Sequence, residues 1–138
     1  MLKDILYKVR LQQVIGTTDV AIESITFDSR QVEPDSLFVA VRGVHVDGHK
    51  YIESAIEKGA VAVLCEELPE NATHQQNVTW LQVADTSAAL GIVADNFFDN
   101  PSSQLKLVGI TGTNGKTTVA TLCYRLFKNL GFQTGLIS

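Results

Sequence analysis

The sequence predicts an α/β protein. A small mixed α/β domain over residues 1–103 is followed, over residues 104–138, by the opening strand–loop–helix–strand unit of a parallel-sheet domain that the chain leaves incomplete. Three observations carry this. Short strand-like apolar runs alternate with segments of helical periodicity. Pro101-Ser102-Ser103 reads as a linker. After it, Leu107 to Thr118 reads LVGITGTNGKTT, an apolar run entering a glycine-rich turn and then a periodic helix.

The elements follow in order. Leu2, Ile5, Leu6 and Val9 fall at helical spacing, so a helix is expected from residue 2 to about 13, ended by Gly16. Ala21 to Phe27 alternates as a strand, Asp28-Ser29-Arg30 breaks it, and Pro34-Asp35 marks a turn before the strand Leu37 to Val41. Arg42-Gly43 opens a polar loop that ends in Asp47-Gly48. Tyr51 to Lys58 reads as a helix capped by Gly59, and Ala60 to Cys65 as a buried strand. Residues 66–77, acidic and amide-rich, form a surface excursion before the strand Val78 to Val83. Asp85 or Thr86 caps a helix that runs to Asn100-Pro101. In the last segment Leu105 to Ile110 and Gln133 to Ile137 are expected as strands flanking the loop and its helix. Two strands and one helix cannot cover both faces of a parallel sheet, so the chain is expected to be a fragment of a longer protein.

Composition narrows the class. In 138 residues, 45% are apolar and 19% charged, which suits one globular domain plus part of another. A net charge of −4 argues against general nucleic-acid binding. Residues 105–138 carry four Lys/Arg and no Asp/Glu, which suits a segment holding a polyanion and equally a solvated helix face. Met1 to Leu11 mixes charges among its apolar residues and no run is long enough to cross a membrane, so a cytoplasmic protein is expected. Cys65 and Cys123, without CxxC or metal-ligand spacing, read as two reduced, buried thiols.

Three polar stretches could carry chemistry. In the glycine-rich loop, glycines at 109, 112 and 115 permit sharp turning and close approach, so that N–H groups at the helix start can converge on an anion. Lys116 adds a positive charge and Thr117 a hydroxyl able to ligate magnesium. The general phosphate-loop pattern puts its first glycine five positions before the second. Here that position is Ile110, with Gly109 one residue early, so the loop is a variant. Asp28-Ser29-Arg30 places a hydroxyl beside a fork-shaped cation after a strand end, and reads equally as a turn bonded to its own backbone. Arg42 to Lys50, RGVHVDGHK, gathers Arg42, His45, His49 and Lys50 about Asp47. It suits a diphosphate site or a solvated loop, and its glycines argue against a helical zinc pair. No Ser/His/Asp constellation is present at a supporting spacing.

Together the stretches DSR, LFVAVRG, DGHKYI-x-x-A-x-x-KGA and GITGTNGKTT resemble, in that order, the N-terminal part of the Mur ligases, most closely the MurE type. The resemblance runs from about Ile22 to Ser138, and it accounts for the displaced glycine. The DSR and DGH blocks narrow the choice to the MurE and MurF types; Ser29 and Thr113 lean towards MurE. The resemblance implies an ATP-dependent ligase of peptidoglycan synthesis. It adds the third amino acid to UDP-N-acetylmuramoyl-L-alanyl-D-glutamate, through an acyl phosphate that the incoming amine displaces. It implies that Phe27, Ser29, Val44, His45 and Val46 touch the UDP part of the substrate. Gly112, Thr113, Asn114, Gly115, Lys116, Thr117 and Thr118 would hold ATP, with Lys116 on the β- and γ-phosphates as the catalytic residue and Thr117 on Mg2+. It also implies that the other magnesium ligands, a modified lysine and an amino-acid-selecting domain lie beyond Ser138, and that this piece alone does not turn over. A monomer with no membrane or nucleic-acid partner is expected. A MurF-type ligase taking a tripeptide substrate and D-alanyl-D-alanine, and a nucleotide-binding module without catalysis, remain as alternatives.

Overall fold

The computed structural model describes residues 1–44, 46–72, 75 and 77–137. The chain divides into two compact units, Met1–Gln104 and Leu105–Ser138. The first is built on a five-stranded sheet in the order β1-β5-β4-β3-β2. Its strands are β1 Leu11–Ile15, β2 Ser24–Thr26, β3 Ser36–Val39, β4 Ala60–Cys65 and β5 Thr79–Val83. β2, β3, β4 and β5 run parallel, and β1 closes the sheet antiparallel to β5.

Burial on both faces explains the composition of the central strands. β4, AVAVLC, is apolar throughout because Ala62 and Leu64 face one cluster while Val63 and Cys65 face the other. The same alternation sends Leu37 and Val39 to the first face and Phe38 and Ala40 to the second. The first face is covered by α1 (Leu2–Ile5) and α3 (Thr86–Phe97), the second by α2 (Ile52–Glu57) and the Val32 crossover segment. α3 starts where Asp85 accepts the Ala88 N–H at 2.9 Å. It gives way to a tight turn at Asp99 and Asn100, both in left-handed conformation (φ 60° and 55°). A 3-10 turn, Pro101–Gln104, stands where the sequence suggested a plain linker. Cys65 is buried, and burial pushes its thiol up to about 12; Cys123 is only half-buried, against the expectation of two buried thiols.

The N-terminus departs from the expected single helix. α1 stops at Ile5, and Lys8 turns left-handed at φ 63°. Asn96 of α3 donates to the carbonyls of Ile5 (2.9 Å) and Tyr7 (2.6 Å), satisfying the groups a short helix leaves free. Residues 11–15 then pair with β5 instead of extending the helix. Between Leu11 and Gln13 the register slips by one residue, so Leu11 packs on one face of the sheet and Ile15 on the other. Without that bulge two residues four apart would share a face.

In the second unit the helix α4, Lys116–Asn129, follows the glycine-rich turn. The flanking segments 105–110 and 133–137 form no ladder among the described residues, although both were expected as strands. A strand needs a hydrogen-bonded neighbour, and within the unit neither segment pairs with the other. Leu105, Leu107, Val108 and Ile137 are exposed, as are Val119, Leu122 and Leu126 on α4. No helix among the described residues is long and apolar enough to cross a membrane.

Candidate functional site

The parallel strands place three loops on one edge of the first unit's sheet. Phe27 and Ser29 follow β2, Val44 and Val46 follow β3, and Glu66 follows β4. Because these strands are adjacent and parallel, their carboxyl ends share an edge, the usual location of α/β ligand sites. Phe27 is 63% exposed, Val46 56% and Val44 95%, large apolar side chains presented to solvent rather than to the core. His45 lies outside the described residues. A cleft of about 530 Å3 opens beside the edge strand β2 and its following turn, lined by Ser24, Thr26, Arg30 and Gln31 among others.

The turn after β2 is set by Asp28. Its carboxylate accepts the Arg30 backbone N–H (2.9 Å) and two guanidinium contacts, Nε at 2.9 Å and Nη2 at 2.7 Å. The Asp28 N–H donates in turn to the Thr26 hydroxyl at 3.1 Å. So Arg30 is turned onto Asp28, and the self-bonded turn allowed by the sequence is present. The Ser29 hydroxyl takes no hydrogen bond among the described residues, while its carbonyl receives Lys58 Nζ at 2.7 Å. The Arg30 contacts hold the Asp28 carboxyl well below the usual carboxylate range, at about 2. A carboxyl so depressed contributes stability above its ordinary value, near ~3.9, and loses it as pH falls towards 2. The turn is therefore expected to loosen on acidification between about pH 4 and pH 2. The amide shift of Arg30 in the folded protein, followed by NMR, should titrate with its midpoint near the depressed value of about 2; a midpoint at the ordinary carboxylate value would mean the pairing is lost in solution.

Within this stretch Arg42-Gly43 and Val46-Asp47 are the paired sides of a hairpin, with Arg42 bridging antiparallel to Asp47 and Gly43 N–H donating to Val46 carbonyl at 2.9 Å; a 3-10 turn, Gly48–Tyr51, follows. Gly48 sits at the hairpin's base against backbone, since a Cβ there would lie 2.8 Å from both the nitrogen and the oxygen of Val41. The expected gathering of free cations is not what forms. Arg42 reaches three carboxylates, Asp47 (3.5 Å), Glu66 (3.5 Å) and Glu67 (3.1 Å). His49 is held between Asp47 (Nδ1 to Oδ1, 2.7 Å) and the Glu66 N–H, which donates to Nε2 at 2.9 Å. The contacts with His49 and Arg42 draw the Asp47 carboxyl down. No group of three metal-ligating side chains occurs among the described residues. Glu66 and Glu67 were not singled out from sequence, although their position just past an entirely apolar strand was the available signal.

In the second unit, Gly112 (φ 149°) and Gly115 (φ 75°) hold the turn, in conformations that disfavour other residues. Gly109 needs no such freedom: its φ is not in that region and a Cβ there would meet nothing within 4 Å. Val119 N–H is the donor that closes the first helical turn onto Gly115. The N–H groups of Lys116, Thr117 and Thr118 therefore stay free for an anion. Lys116 Nζ folds back onto the carbonyls of Gly112 and Thr113, so its charge lies over the loop. Thr113, Asn114, Thr117 and Thr118 are exposed around it. The donor set fits a nucleotide phosphate chain, with the Thr117 hydroxyl available to a magnesium ion.

Residues 21–98 match the family described as "Mur ligase family, catalytic domain", a span that covers most of the first unit and stops short of the glycine-rich loop. The chain is 58% identical over 137 residues to the UDP-N-acetylmuramoyl-L-alanyl-D-glutamate--2,6-diaminopimelate ligase of Cytophaga hutchinsonii, covering 99% of this chain and 28% of that protein. The enzyme of the same name from Bacteroides fragilis is 52% identical over the same shares. This chain thus spans just over a quarter of the length of these curated relatives. Among solved structures, MurF from Acinetobacter baumannii aligns with a TM-score of 0.57 at 28% identity, over 79% of this chain and 23% of that one. A UDP-N-acetylmuramoyl-L-alanyl-D-glutamate--2,6-diaminopimelate ligase aligns with a TM-score of 0.57 at 26% identity, over 80% and 22%.

Proposed function

The chain belongs to the Mur ligase family, and from that premise we propose that it is the N-terminal part of a MurE-type ligase. The proposed enzyme uses ATP and Mg2+ to join 2,6-diaminopimelate to UDP-N-acetylmuramoyl-L-alanyl-D-glutamate in the cytoplasm, as a monomer. The observation that carries this reading is 58% identity across 99% of the chain with a ligase of that name, reaching through both candidate sites. Identities of 52%, 50% and 47% with the enzymes of the same name from Bacteroides fragilis, Phocaeicola vulgatus and Bacteroides thetaiotaomicron favour diaminopimelate over lysine as the added amino acid and the MurE over the MurF type.

In this reading residues 1–103 hold the UDP part of the substrate and residues 104–138 begin the ATP-binding domain. Phe27, Val44 and Val46 offer exposed apolar surface for the base and sugar, His45 is a further contact by the resemblance, and Ser29 offers a hydroxyl without a hydrogen bond among the described residues. Gly112 to Thr118 bind the phosphates of ATP, which supplies the phosphoryl group that activates the substrate carboxylate. Phosphoryl transfer asks for positioning and charge neutralisation rather than a nucleophilic side chain. A loop with one lysine, one helix N-terminus and no neighbouring acid meets that need.

The test is an assay of the full-length parent with UDP-N-acetylmuramoyl-dipeptide and either diaminopimelate or lysine, and with the tripeptide substrate and D-alanyl-D-alanine. ADP and amide formed together only with the dipeptide and diaminopimelate is the expected result. Nucleotide binding without amide product would leave only a binding module. Ser29→Ala is expected to weaken UDP-substrate binding by one hydrogen bond, about 0.5–1.5 kcal/mol by calorimetry. Unchanged affinity would remove Ser29 from the site.

A further inference from the structure

We propose that His49 is the positioning residue of the 42–48 hairpin. Held as one neutral tautomer between Asp47 and the backbone of Glu66, it fixes the hairpin tip bearing Val44 and Val46 without touching the ligand. The inference rests on the reading above only in assigning that tip to the substrate.

The tautomer follows from the partners. A backbone N–H can only donate, so Nε2, 2.9 Å from Glu66 N, presents a lone pair and carries no proton. The proton is then on Nδ1 and is donated to Asp47 Oδ1 at 2.7 Å. That same oxygen accepts the His49 backbone N–H at 3.0 Å, which starts the 3-10 turn Gly48–Tyr51. With both ring nitrogens engaged and its side chain 13% exposed, His49 has no group left to offer a ligand.

The far anchor is as well defined. Glu66 Oε1 accepts the N–H and the hydroxyl of buried Thr86 at 3.1 and 3.0 Å, tying the end of β4 to the start of α3. Its backbone carbonyl accepts Gln82 Nε2 of β5 at 3.0 Å. The imidazole thus links a hairpin to a point fixed by two strands and a helix. At the hairpin's other side Gly48 N–H donates to Val41 carbonyl at 2.9 Å. The Arg42 contacts are half exposed and screened by water, so they add little to this hold. Between these two fixed sides Val44 stands 95% exposed, a shape that no packing of its own side chain maintains.

The experiment uses the 138-residue chain labelled with 15N and 13C. At neutral pH the His49 ring is expected to show a protonated Nδ1 and a bare Nε2; the opposite pattern overturns the proposal. UDP is then titrated into wild type, His49→Leu and His49→Gln, with Val44 and Val46 methyl signals and calorimetry as readouts. His49→Leu should collapse the distinct methyl shifts and weaken UDP about tenfold, whereas His49→Gln, which keeps an acceptor for the Glu66 N–H, should recover most of both. Unchanged methyl shifts and affinity in His49→Leu would overturn it. If His49→Leu does not fold, the wild-type tautomer and the Gln variant still decide the matter. Should wild type bind no UDP while the tautomer and the methyl collapse hold, the substrate reading fails and the positioning role stands.

Discussion

Lys116→Ala in the proposed full-length ligase is expected to lower the rate of amide and ADP formation by about 10²–10³-fold, the loss typical of removing one group that stabilises transition-state charge. The expectation rests on where the side chain lies. Lys116 is the first residue of α4, beyond the left-handed Gly115, and its ammonium sits over the carbonyls of Gly112 and Thr113 within the loop. Residues 105–138 contain no carboxylate to neutralise it. The side chain is exposed and takes part in no core, so melting temperature should not change, which separates lost chemistry from lost structure. UDP-substrate affinity should also hold, since the proposed contacts lie in the first unit. Lys116→Arg should rescue poorly, because a planar fork does not reproduce a compact charge on phosphate oxygens. Activity within tenfold of wild type in Lys116→Ala would remove the loop from the reaction.

What could be read in advance differs between the two units for a physical reason. β4 is bounded correctly from sequence because an uninterrupted run of apolar residues between Gly59 and Glu66 has one comfortable place, the middle of a parallel sheet. The α3 start is legible because Asp85 does locally what caps do. By contrast β1 is a tertiary decision. Leu11 to Ile15 has no strand pattern of its own, since the bulge puts Leu11 and Ile15 on opposite faces, and only β5 supplies its partner. For residues 105–110 and 133–137 the apolar pattern says strand, but pairing depends on neighbours the unit does not provide.

The candidate site was legible in its motifs and not in its wiring. The positions of Ser29 and the hairpin follow from strand ends that the sequence marks, and that of the glycine-rich loop from its glycines and the helix it opens. That Arg42 and His49 would be consumed by Asp47, Glu66 and Glu67 does not, because Glu66 lies 17 residues from His49 and meets it only through the parallel pairing of β3 and β4. Counting cations in a stretch of sequence cannot show which carboxylates fold onto them.

Phe38→Ala is expected to be among the most damaging single changes to the first unit, at about 3–5 kcal/mol. Phe38 is fully buried in the second of the two core clusters, where its ring meets the face covered by α2 and the Val32 segment. It pairs across the ladder with Thr26 on one side and Val63 on the other, so the cavity would open between two paired strands, where backbone collapse is restricted. Set against a typical domain stability of about 5–15 kcal/mol, such a loss lowers the melting temperature by well over ten degrees. Leu37→Ala tests the other face, and Val61→Ala, half-buried on β4, should cost far less. The change also bears on the site, because β3 ends at Val39 and the hairpin begins three residues later at Arg42. Below its own melting temperature the Phe38→Ala protein should therefore lose UDP affinity along with stability, whereas Lys116→Ala should lose neither. If Phe38→Ala melts within a few degrees of wild type by calorimetry, the second core is not where the first unit gets its stability.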